Sequence, residues 1–398
     1  MIGYIILGLV ALFFAVILIR TLTFKPKAQP AISNEEVNFD SDAAVHALSE
    51  LVKCKTISYN DHALEDDAEF QKLIDMLPTL YPKVFEVCSF DQLPDRALLL
   101  RWPGKSDKEP AVMMAHYDVV PVNEENWEKP PFAAIIEDGV MWGRGTLDTK
   151  VTFNAVFSAA NHLIAKGFVP ENDIYFAFSG GEEVNGKGAP NIVQYFADHN
   201  ITPGIVVDEG GAVVDRPIAG MDREYAVIGV TEKGYMDLKI SAKGTGGHSS
   251  TPPRNTPAAR LFAFANEIEK KRPFKKHLIP EVYEMFSAMA PSFSFGMRML
   301  LGNLWLFKPL LIAIMPMVSP FGEAILSTTC CFTMMKGSDA CNVIPKEPYL
   351  VANLRTSVHQ NCEESLAVLK KYADKYDLEI ENSFFVKISL HQGLGFRC

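Results

Sequence analysis

Short apolar runs alternate with amphipathic helical segments in the first half of this chain. The runs have the length of buried strands and the longer segments have helical periodicity. The strand-like runs lie at 97–100, 111–115, 174–178 and 205–207, and the helical segments at 40–53 and 151–166. Strands separated by helices pack as a parallel sheet that helices cover on both faces. We therefore predict an α/β domain with a mostly parallel sheet over residues 40–230.

The pattern changes beyond residue 231. Residues 235–242 alternate like a half-buried strand and 350–355 are strand-like, whereas 256–270 and 363–376 are helical. This mixture predicts a smaller α+β domain inserted at 231–376. We expect residues 377–398 to begin a segment that returns to the first domain.

The N-terminus carries an apolar stretch of membrane-spanning length. Met1–Ile19 has no charged side chain, and Arg20, Lys25 and Lys27 follow it. About twenty apolar residues cross a bilayer, so residues 1–24 are predicted to be a transmembrane anchor and 25–39 a linker. A cleaved signal peptide is the alternative, but a basic leading region and a small-residue cleavage site are both missing. The basic flank favours a cytoplasmic location for the rest of the chain, although three residues leave the orientation open.

A second apolar stretch runs from Met299 to Val318. Lys308, Pro309 and Pro316 interrupt it, which leaves pieces too short to cross a bilayer. We expect buried or substrate-facing helices here instead of a second span.

Charge and cysteine content exclude some classes of function. The net charge of −10 argues against a nucleic-acid partner, because phosphate binding requires clustered Lys and Arg. The seven cysteines are scattered and form no C-x-x-C pair, so neither a disulfide framework nor a cysteine zinc site is predicted. The redox compartment stays open.

Polar clusters follow the predicted strands or the turns after them. They are His116-Tyr117-Asp118, Asp148 after Gly143-Arg144-Gly145, Glu182-Glu183 and Asp208-Glu209. Each alone has an ordinary explanation as a surface pair, a helix cap or a solvated helix start. Together they place carboxylates and an imidazole at one edge of a sheet, where burial is costly unless a cation neutralises them. The set therefore predicts a metal site at that edge.

These motifs resemble those of the M20 metallopeptidase family, in order and over about residues 40 to 395. The lid motif of that family resembles residues 246–253, and Asn342-Val343-Ile344-Pro345 with the apolar stretch resembles its carboxypeptidase S and N-acyl-amino-acid hydrolase branch. The resemblance implies a zinc-peptidase-like catalytic domain and a ferredoxin-like lid that forms a homodimer.

The resemblance also implies a centre of two zinc ions. Asp148 would bridge the ions, His116 and Asp208 would complete one site, and Glu183 would belong to the other. Glu182 would be the general base and acid. Cobalt or manganese would suit the same ligands.

Further residues are implied to act around the metals. Asp118 would orient His116, and His248 would stabilise the oxyanion. Asn342 and Arg355 would bind substrate, Arg355 through a carboxylate, with a structural ion pair as its alternative.

The family's last histidine ligand has no counterpart, because His391 follows the lid too soon and lacks the family's surrounding motif. We expect a C-terminally short chain whose second metal has only two ligands of its own. The predicted function is hydrolysis, or the reverse condensation, of the amide bond of N-acyl amino acids or of small peptides with a free C-terminal carboxylate. The alternatives are an inactive homologue that binds or dimerises, and a di- or tripeptide aminopeptidase.

Overall fold

The N-terminal half of the chain folds around a five-stranded mixed sheet. Its strands lie in the order β1-β2-β6-β3-β7. Their bounds are β1 Ser89–Leu93, β2 Ala97–Trp102, β3 Ser106–His116, β6 Asn172–Ser179 and β7 Ile205–Val207. β6, β3 and β7 run parallel to one another. The computed structural model describes residues 1–25, 37–216, 221 and 223–386, with secondary structure but not side-chain burial for 382–386.

The α/β class is confirmed, but the sheet is mixed where a mostly parallel sheet was predicted. β2 pairs antiparallel with both β1 and β6. The turn between β1 and β2 has Asp95 and Arg96 at φ 57° and 56°. Two successive residues with positive φ make a tight hairpin turn, which can only join antiparallel strands.

Helices cover this sheet and supply much of its core. They are α2 Ser41–Val52, α3 Asp67–Leu80, α4 Pro82–Val87, α5 Lys150–Ala165 and α6 Gly188–Asp198. Phe153 and Phe157 of α5 are fully buried against Phe176 and Phe178 of β6. This aromatic packing fixes α5 against the sheet, and so fixes the loop that precedes α5.

A small hairpin leads into that loop. β4 Ile135–Glu137 pairs with β5 Val140–Trp142, and a turn then carries the chain to Asp148 and α5. Asp148 therefore enters the site from a loop, not from a strand of the main sheet.

The second half of the chain contains a four-stranded antiparallel sheet in the order β12-β14-β10-β15. Its elements follow one another as β10 Gly234–Ser241, α7 Pro257–Lys271, β12 Thr329–Lys336, β14 Tyr349–Thr356, α12 Cys362–Lys375 and β15 Glu379–Val386. This is the βαββαβ succession of a ferredoxin-like unit. Two short pairs accompany it, β8 Ala212–Asp215 with β9 Glu224–Val227 and β11 Gly247–His248 with β13 Val343–Ile344.

The strand pairing corrects the expected role of residues 377–386. We predicted them as the start of a returning catalytic segment, but β15 pairs with β10 in the lid sheet. The physical reason is that α12 crosses the sheet and brings the chain to the free edge of β10. Residues 387–398, including His391, and linker residues 26–36 lie outside the described residues.

Four helices are inserted between α7 and β12, where the second apolar stretch lies. They are α8 Pro280–Met289, α9 Phe295–Gly302, α10 Leu304–Val318 and α11 Pro320–Leu326. Their buried core includes Leu301, Leu304 and Leu311. The predicted anchor forms one helix, α1 Ile2–Thr23. Among the described residues α1 is the one unbroken helix long and apolar enough to cross a membrane, whereas α9 and α10 are bent by 109° against each other.

Candidate metal centre

Three of the four predicted clusters lie at the carboxyl ends of neighbouring parallel strands. His116 is the last residue of β3, Ser179 ends β6 just before Glu182, and Val207 ends β7 just before Asp208. The register pairs His116 with Ser179 and Met113 with Val207. The convergence that the sequence predicted at this edge is therefore present in the described strands.

His116 is the centre of the cluster. Its side chain is only 2% exposed, and its Nε2 lies 3.0 Å from Asp148 Oδ1, 3.5 Å from Glu209 Oε2 and 4.0 Å from Glu182 Oε2. Two sets of three ligand atoms lie within 4.8 Å of one another: His116 with Asp148 and Glu183, and His116 with Glu182 and Glu209.

This donor set fits a zinc ion. Imidazole nitrogen and carboxylate oxygen are both zinc ligands, and a catalytic zinc has three protein ligands and one further open position. Both sets use the same His116, whose Nε2 can ligate only one ion. The described residues thus supply one complete three-ligand set for a metal, and they place two further carboxylates, those of Glu182 and Glu209, beside it.

Asp118 holds the centre together from behind. It is fully buried, and His116 Nδ1 lies 3.4 Å from its Oδ1 and 3.0 Å from its backbone oxygen. The Asp118 carboxylate also accepts hydrogen bonds from Ser58 Oγ at 2.6 Å and from the backbone N–H groups of Glu182 at 3.1 Å and Glu183 at 3.2 Å. One carboxylate therefore fixes the ring of the predicted ligand and the turn that carries the predicted base.

Ser58 and the second task of Asp118 were missing from the sequence analysis. The sequence spacing suggested only the contact between Asp118 and its neighbour His116. The contact with the Glu182 turn follows from the pairing of β3 with β6, which brings residues 64 positions apart together.

The crowding of carboxylates shifts the pKa values of the cluster. Burial alone would lower the pKa of His116, but the hydrogen bond and charge of Asp118, with Glu209 and Glu182 nearby, outweigh it and raise that pKa to about 10. Burial also raises the pKa of Glu182 to about 7, with Glu209 and Glu183 adding repulsion against the attraction of His116. Burial raises the pKa of Glu183, and the charge of Asp148 adds to it. Excess negative charge of this kind is what a bound cation relieves.

Burial acts against the ionised form of Asp118 too, but the hydrogen bonds from His116 and Ser58 outweigh it and lower its pKa. Asp118 therefore stays a carboxylate where the nearby Glu182 is readily protonated. Two neighbouring acids whose pKa values are pushed apart are typical of a site that needs both a fixed anion and a proton carrier.

Asp208 does not join the cluster, and its neighbour Glu209 does. Asp208 is exposed, and its Oδ1 accepts a hydrogen bond from the backbone N–H of Glu209. The sequence signal for Glu209 was its place beside Asp208 in the motif. Since β7 ends at Val207, strand alternation no longer decides which of the two acids points toward His116.

Three predicted residues belong to the second half of the chain. His248 pairs with Val343 across the β11-β13 ladder, and Asn342 accepts a hydrogen bond from the backbone N–H of Ser249 through its carbonyl oxygen at 2.9 Å. The structure thus brings together two motifs that are distant in sequence. His248 is exposed, and its Nδ1 lies 2.8 Å from Ser250 Oγ.

Arg355 lies on β14 of the four-stranded sheet, not on the short β11-β13 pair. Its guanidinium group stacks on the ring of Tyr235, 4.7 Å from the centroid. Burial, with a smaller contribution from the charge of Arg355, lowers the pKa of the nearby Lys233 to about 8. Two cations that repel each other are suited to sharing an anion.

Comparison with known proteins agrees with this geometry. The model of peptidase family M20/M25/M40 matches residues 112–382. The chain is 30% identical to the N-fatty-acyl-amino acid synthase/hydrolase PM20D1 of Xenopus tropicalis over 95% of this chain and 76% of that protein. It is 32% identical to the probable carboxypeptidase S-like 2 of Dictyostelium discoideum over 85% and 66%. It is 34% identical to human PM20D1 over 66% and 52%, so the chain spans between about half and three quarters of these relatives.

Solved structures support the fold. The M20 family metallo-carboxypeptidase Sso-CP2 of Sulfolobus solfataricus matches with a TM-score of 0.57 at 20% identity, covering 87% of this chain and 80% of that one. Human carnosine dipeptidase 1 matches with a TM-score of 0.54 at 15% identity, covering 87% and 78%.

Proposed function

Because this chain belongs to peptidase family M20/M25/M40, we propose that it hydrolyses the amide bond of N-acyl amino acids, or of small peptides with a free C-terminal carboxylate. The observation that carries this proposal is the position of Glu182, a carboxylate with a raised pKa, at the edge of a three-ligand metal set. The relatives named for N-fatty-acyl amino acids and for carboxypeptidase S-like activity support this substrate class. Condensation of the same two products is the reverse reaction at the same residues.

We propose that His116, Asp148 and Glu183 hold zinc and that Asp208, or Glu209 in its place, serves a second ion. A bound zinc ion would polarise the amide carbonyl and make an attacking water more acidic. Glu182 accepts the proton of that water and then donates it to the nitrogen of the leaving amine. A base with a pKa of about 7 suits both steps at neutral pH.

Substrate groups beyond the amide would be held by the second half of the chain. His248 would donate a hydrogen bond to the developing oxyanion, with Asn342 immediately before the paired strand β13. Arg355 would bind the free carboxylate, for which a bidentate contact is the strongest arrangement. The mutual repulsion of Arg355 and Lys233 supports this role, since a carboxylate between them would relieve it.

The test of the base is Glu182→Gln, which keeps the shape of the side chain and removes its proton-accepting oxygen. Loss of general-base catalysis costs roughly 10²- to 10⁴-fold in kcat. Metal content measured on the same preparation should be unchanged, because Glu182 is outside the set formed by His116, Asp148 and Glu183. Turnover close to wild type with the metal retained would refute the assignment.

Substrate class is tested with matched pairs. An N-acyl amino acid should be hydrolysed much faster than its methyl ester, which lacks the carboxylate that Arg355 would bind. Arg355→Ala should raise KM for the acid and leave the weak reaction of the ester unchanged. Equal loss for both substrates would refute a carboxylate contact.

A second candidate is an inactive homologue that acts by binding. The observation that favours it is that both ligand sets share His116, so the described residues complete one metal site and not two. Elemental analysis of the purified full chain distinguishes the candidates. Two zinc ions per chain with amide hydrolysis support the enzyme, whereas one ion or none without hydrolysis supports the binding protein.

We further propose that α1 anchors the chain in a membrane and that the lid forms a homodimer. The apolar length of α1 supports the first proposal. The second is supported by β12, an edge strand of the lid sheet whose Met334 and Met335 are 60% and 66% exposed. Light scattering in a mild detergent tests the dimer, and Met335→Lys should shift it toward the monomer.

A further inference from the structure

The contacts of α1 are confined to one end of the helix. Met1–Phe14 are exposed throughout, and the buried residues of α1 are Ile17 and Thr21 near its C-terminal end. Phe24, just beyond the helix, packs on the core of the inserted helices. The first half of α1 thus projects from the protein, and its last two turns are attached to it.

The attachment is to α9 and the start of α10. Asn303, which is fully buried, donates a hydrogen bond from Nδ2 to Thr21 Oγ1 at 3.0 Å. The ring of Phe24 packs against Gly302, where a Cβ would be in ordinary van der Waals contact with it at 3.4 Å. Trp305 Nε1 donates to Asn303 Oδ1 at 3.3 Å, so one asparagine links α1 to the exposed Trp305.

The length of α1 fixes the depth of this attachment if α1 crosses a bilayer. Its 22 residues extend about 33 Å at 1.5 Å per residue, close to the ~30 Å hydrocarbon thickness. The part that is free of protein, up to Phe14, extends only about 20 Å. Spanning the hydrocarbon therefore requires the attached turns to lie within it or at its boundary. The helices packed on those turns must then lie at the same level.

The exposed side chains of α9, α10 and α11 are largely apolar, as a position at the boundary of the hydrocarbon requires. Its exposed apolar side chains are Phe295, Met297, Trp305, Leu310, Ile314, Met317, Val318 and Phe321, with 39–83% of each accessible. Large apolar side chains that are exposed on three consecutive helices are typical of a surface that binds another apolar partner. α10 has 15 residues, about 22 Å, which is too short to span a bilayer but long enough to lie along its surface.

The charge of this region is complementary to an anionic lipid surface. Residues 285–322 contain no Asp or Glu, although the chain has 48 acidic residues in 398 and a net charge of −10. The one acid of α11, Glu323, is buried and paired with Arg272. The cations in that stretch are Arg298 and Lys308, and Arg20 lies on the attached end of α1. Tryptophan and basic residues beside an apolar face are typical of interfacial helices.

We propose that α9, α10 and α11 lie in the interfacial layer of a phospholipid bilayer, with their exposed apolar side chains among the acyl chains beside the end of α1. The protein then holds the membrane by two elements, one that spans it and one that lies on it. This inference does not depend on the catalytic activity.

Trp305 provides the test. The full chain is reconstituted in vesicles made of phosphatidylcholine with about one-fifth phosphatidylglycerol. Lipids in these vesicles carry a doxyl quencher either near the headgroup or at the end of the acyl chain. We expect strong loss of Trp305 emission with the shallow quencher and weaker loss with the deep one. The other three tryptophans, Trp102, Trp127 and Trp142, lie in the first half of the chain. Trp305→Phe should therefore remove the quenched component.

Two further variants protect the test against a local folding defect. Leu310→Trp in the Trp305→Phe background should restore lipid quenching, because Leu310 is another exposed apolar side chain of α10. Phe262→Trp in that background should not, although Phe262 of α7 is equally exposed at 57%. Quenching that is equal in wild type and Trp305→Phe would overturn the proposal. Failure of the full chain to float with the vesicles would also overturn the proposal. Trp305 emission that changes on dilution but not on addition of lipid would overturn it too, and would indicate that a second copy of the chain covers this surface.

Discussion

Replacement of Asp118 by Asn is the sharpest test of how the centre is held together. The buried carboxylate has three hydrogen-bond donors around it besides His116: Ser58 and the two backbone N–H groups of Glu182 and Glu183. Asparagine has the same shape but only one accepting oxygen. In one orientation its NH₂ group faces the hydroxyl of Ser58 and the backbone N–H of Glu183, and in the other it faces the backbone N–H of Glu182. In either case at least one of these backbone N–H groups loses its acceptor.

The magnitude follows from those contacts. An unsatisfied buried donor costs about 1–3 kcal/mol, and each hydrogen bond to a charged group contributes roughly 1.5–3 kcal/mol. We expect Asp118→Asn to lower the free energy of unfolding by about 3 kcal/mol, well beyond an ordinary surface substitution. The ring of His116 keeps the backbone oxygen of residue 118 but loses the carboxylate charge beside its Nδ1, so metal affinity should fall about 10- to 100-fold.

The pH dependence of the free energy of unfolding gives an independent test of the role of Asp118. The pKa of Asp118 is lowered in the folded protein, so its contribution is present above the ordinary carboxyl pKa and is lost as pH falls through the folded value. The metal-free wild type should therefore lose part of its stability on acidification, and Asp118→Asn should lose less over the same range.

Urea unfolding of the metal-free proteins and chelator competition for zinc measure the two effects. Ser58→Ala is the matched control, because it removes one of the four contacts and should cost about 1 kcal/mol. A loss of less than 1 kcal/mol in Asp118→Asn, with zinc affinity unchanged, would refute the view that this carboxylate positions both the ligand and the base.

Zinc binding should release at least one proton per chain at pH 7, because His116, with a pKa of about 10, is protonated until its nitrogen ligates the metal. The affinity for zinc should therefore rise from pH 6 to 9. Titration calorimetry in buffers of different ionisation enthalpy would count the released protons. Glu209→Gln should weaken zinc binding more than Asp208→Asn if the carboxylate near His116 is the ligand, and the opposite order would restore the assignment made from the motif. Phe157→Ala in the aromatic core should lower the free energy of unfolding by about 3–5 kcal/mol in a denaturant titration, and a much smaller loss would mean that α5 is not held by this packing.

Much of the fold was determined by local signals. The apolar runs ending in His116, Ser179 and Val207 were predicted as buried strands, and all three are strands, although β7 at the sheet edge is exposed. Their polar successors then had to meet at one edge, and they do. The succession of elements in the second half likewise predicted an α+β unit, because helical and strand periodicities differ.

The tertiary structure decided which strands pair with one another and in which direction. Whether the run at Ala97–Leu100 paired parallel or antiparallel depended on the turn at Asp95 and Arg96, whose backbone angles no hydrophobic pattern records. Residues 379–386 joined the lid sheet because β10 offered a free edge there, a fact about space and not about their own sequence.

The same division holds in the candidate site. The sequence itself determined that an imidazole and several carboxylates would gather at one sheet edge, since the covalent chain places His116, Glu182 and Glu209 at or shortly after the ends of strands. Only the tertiary structure decided that Asp118 would hold the Glu182 turn and that Glu209, not Asp208, would lie near His116. Those contacts join segments far apart in sequence, and their geometry depends on how loops pack after the strands have ended.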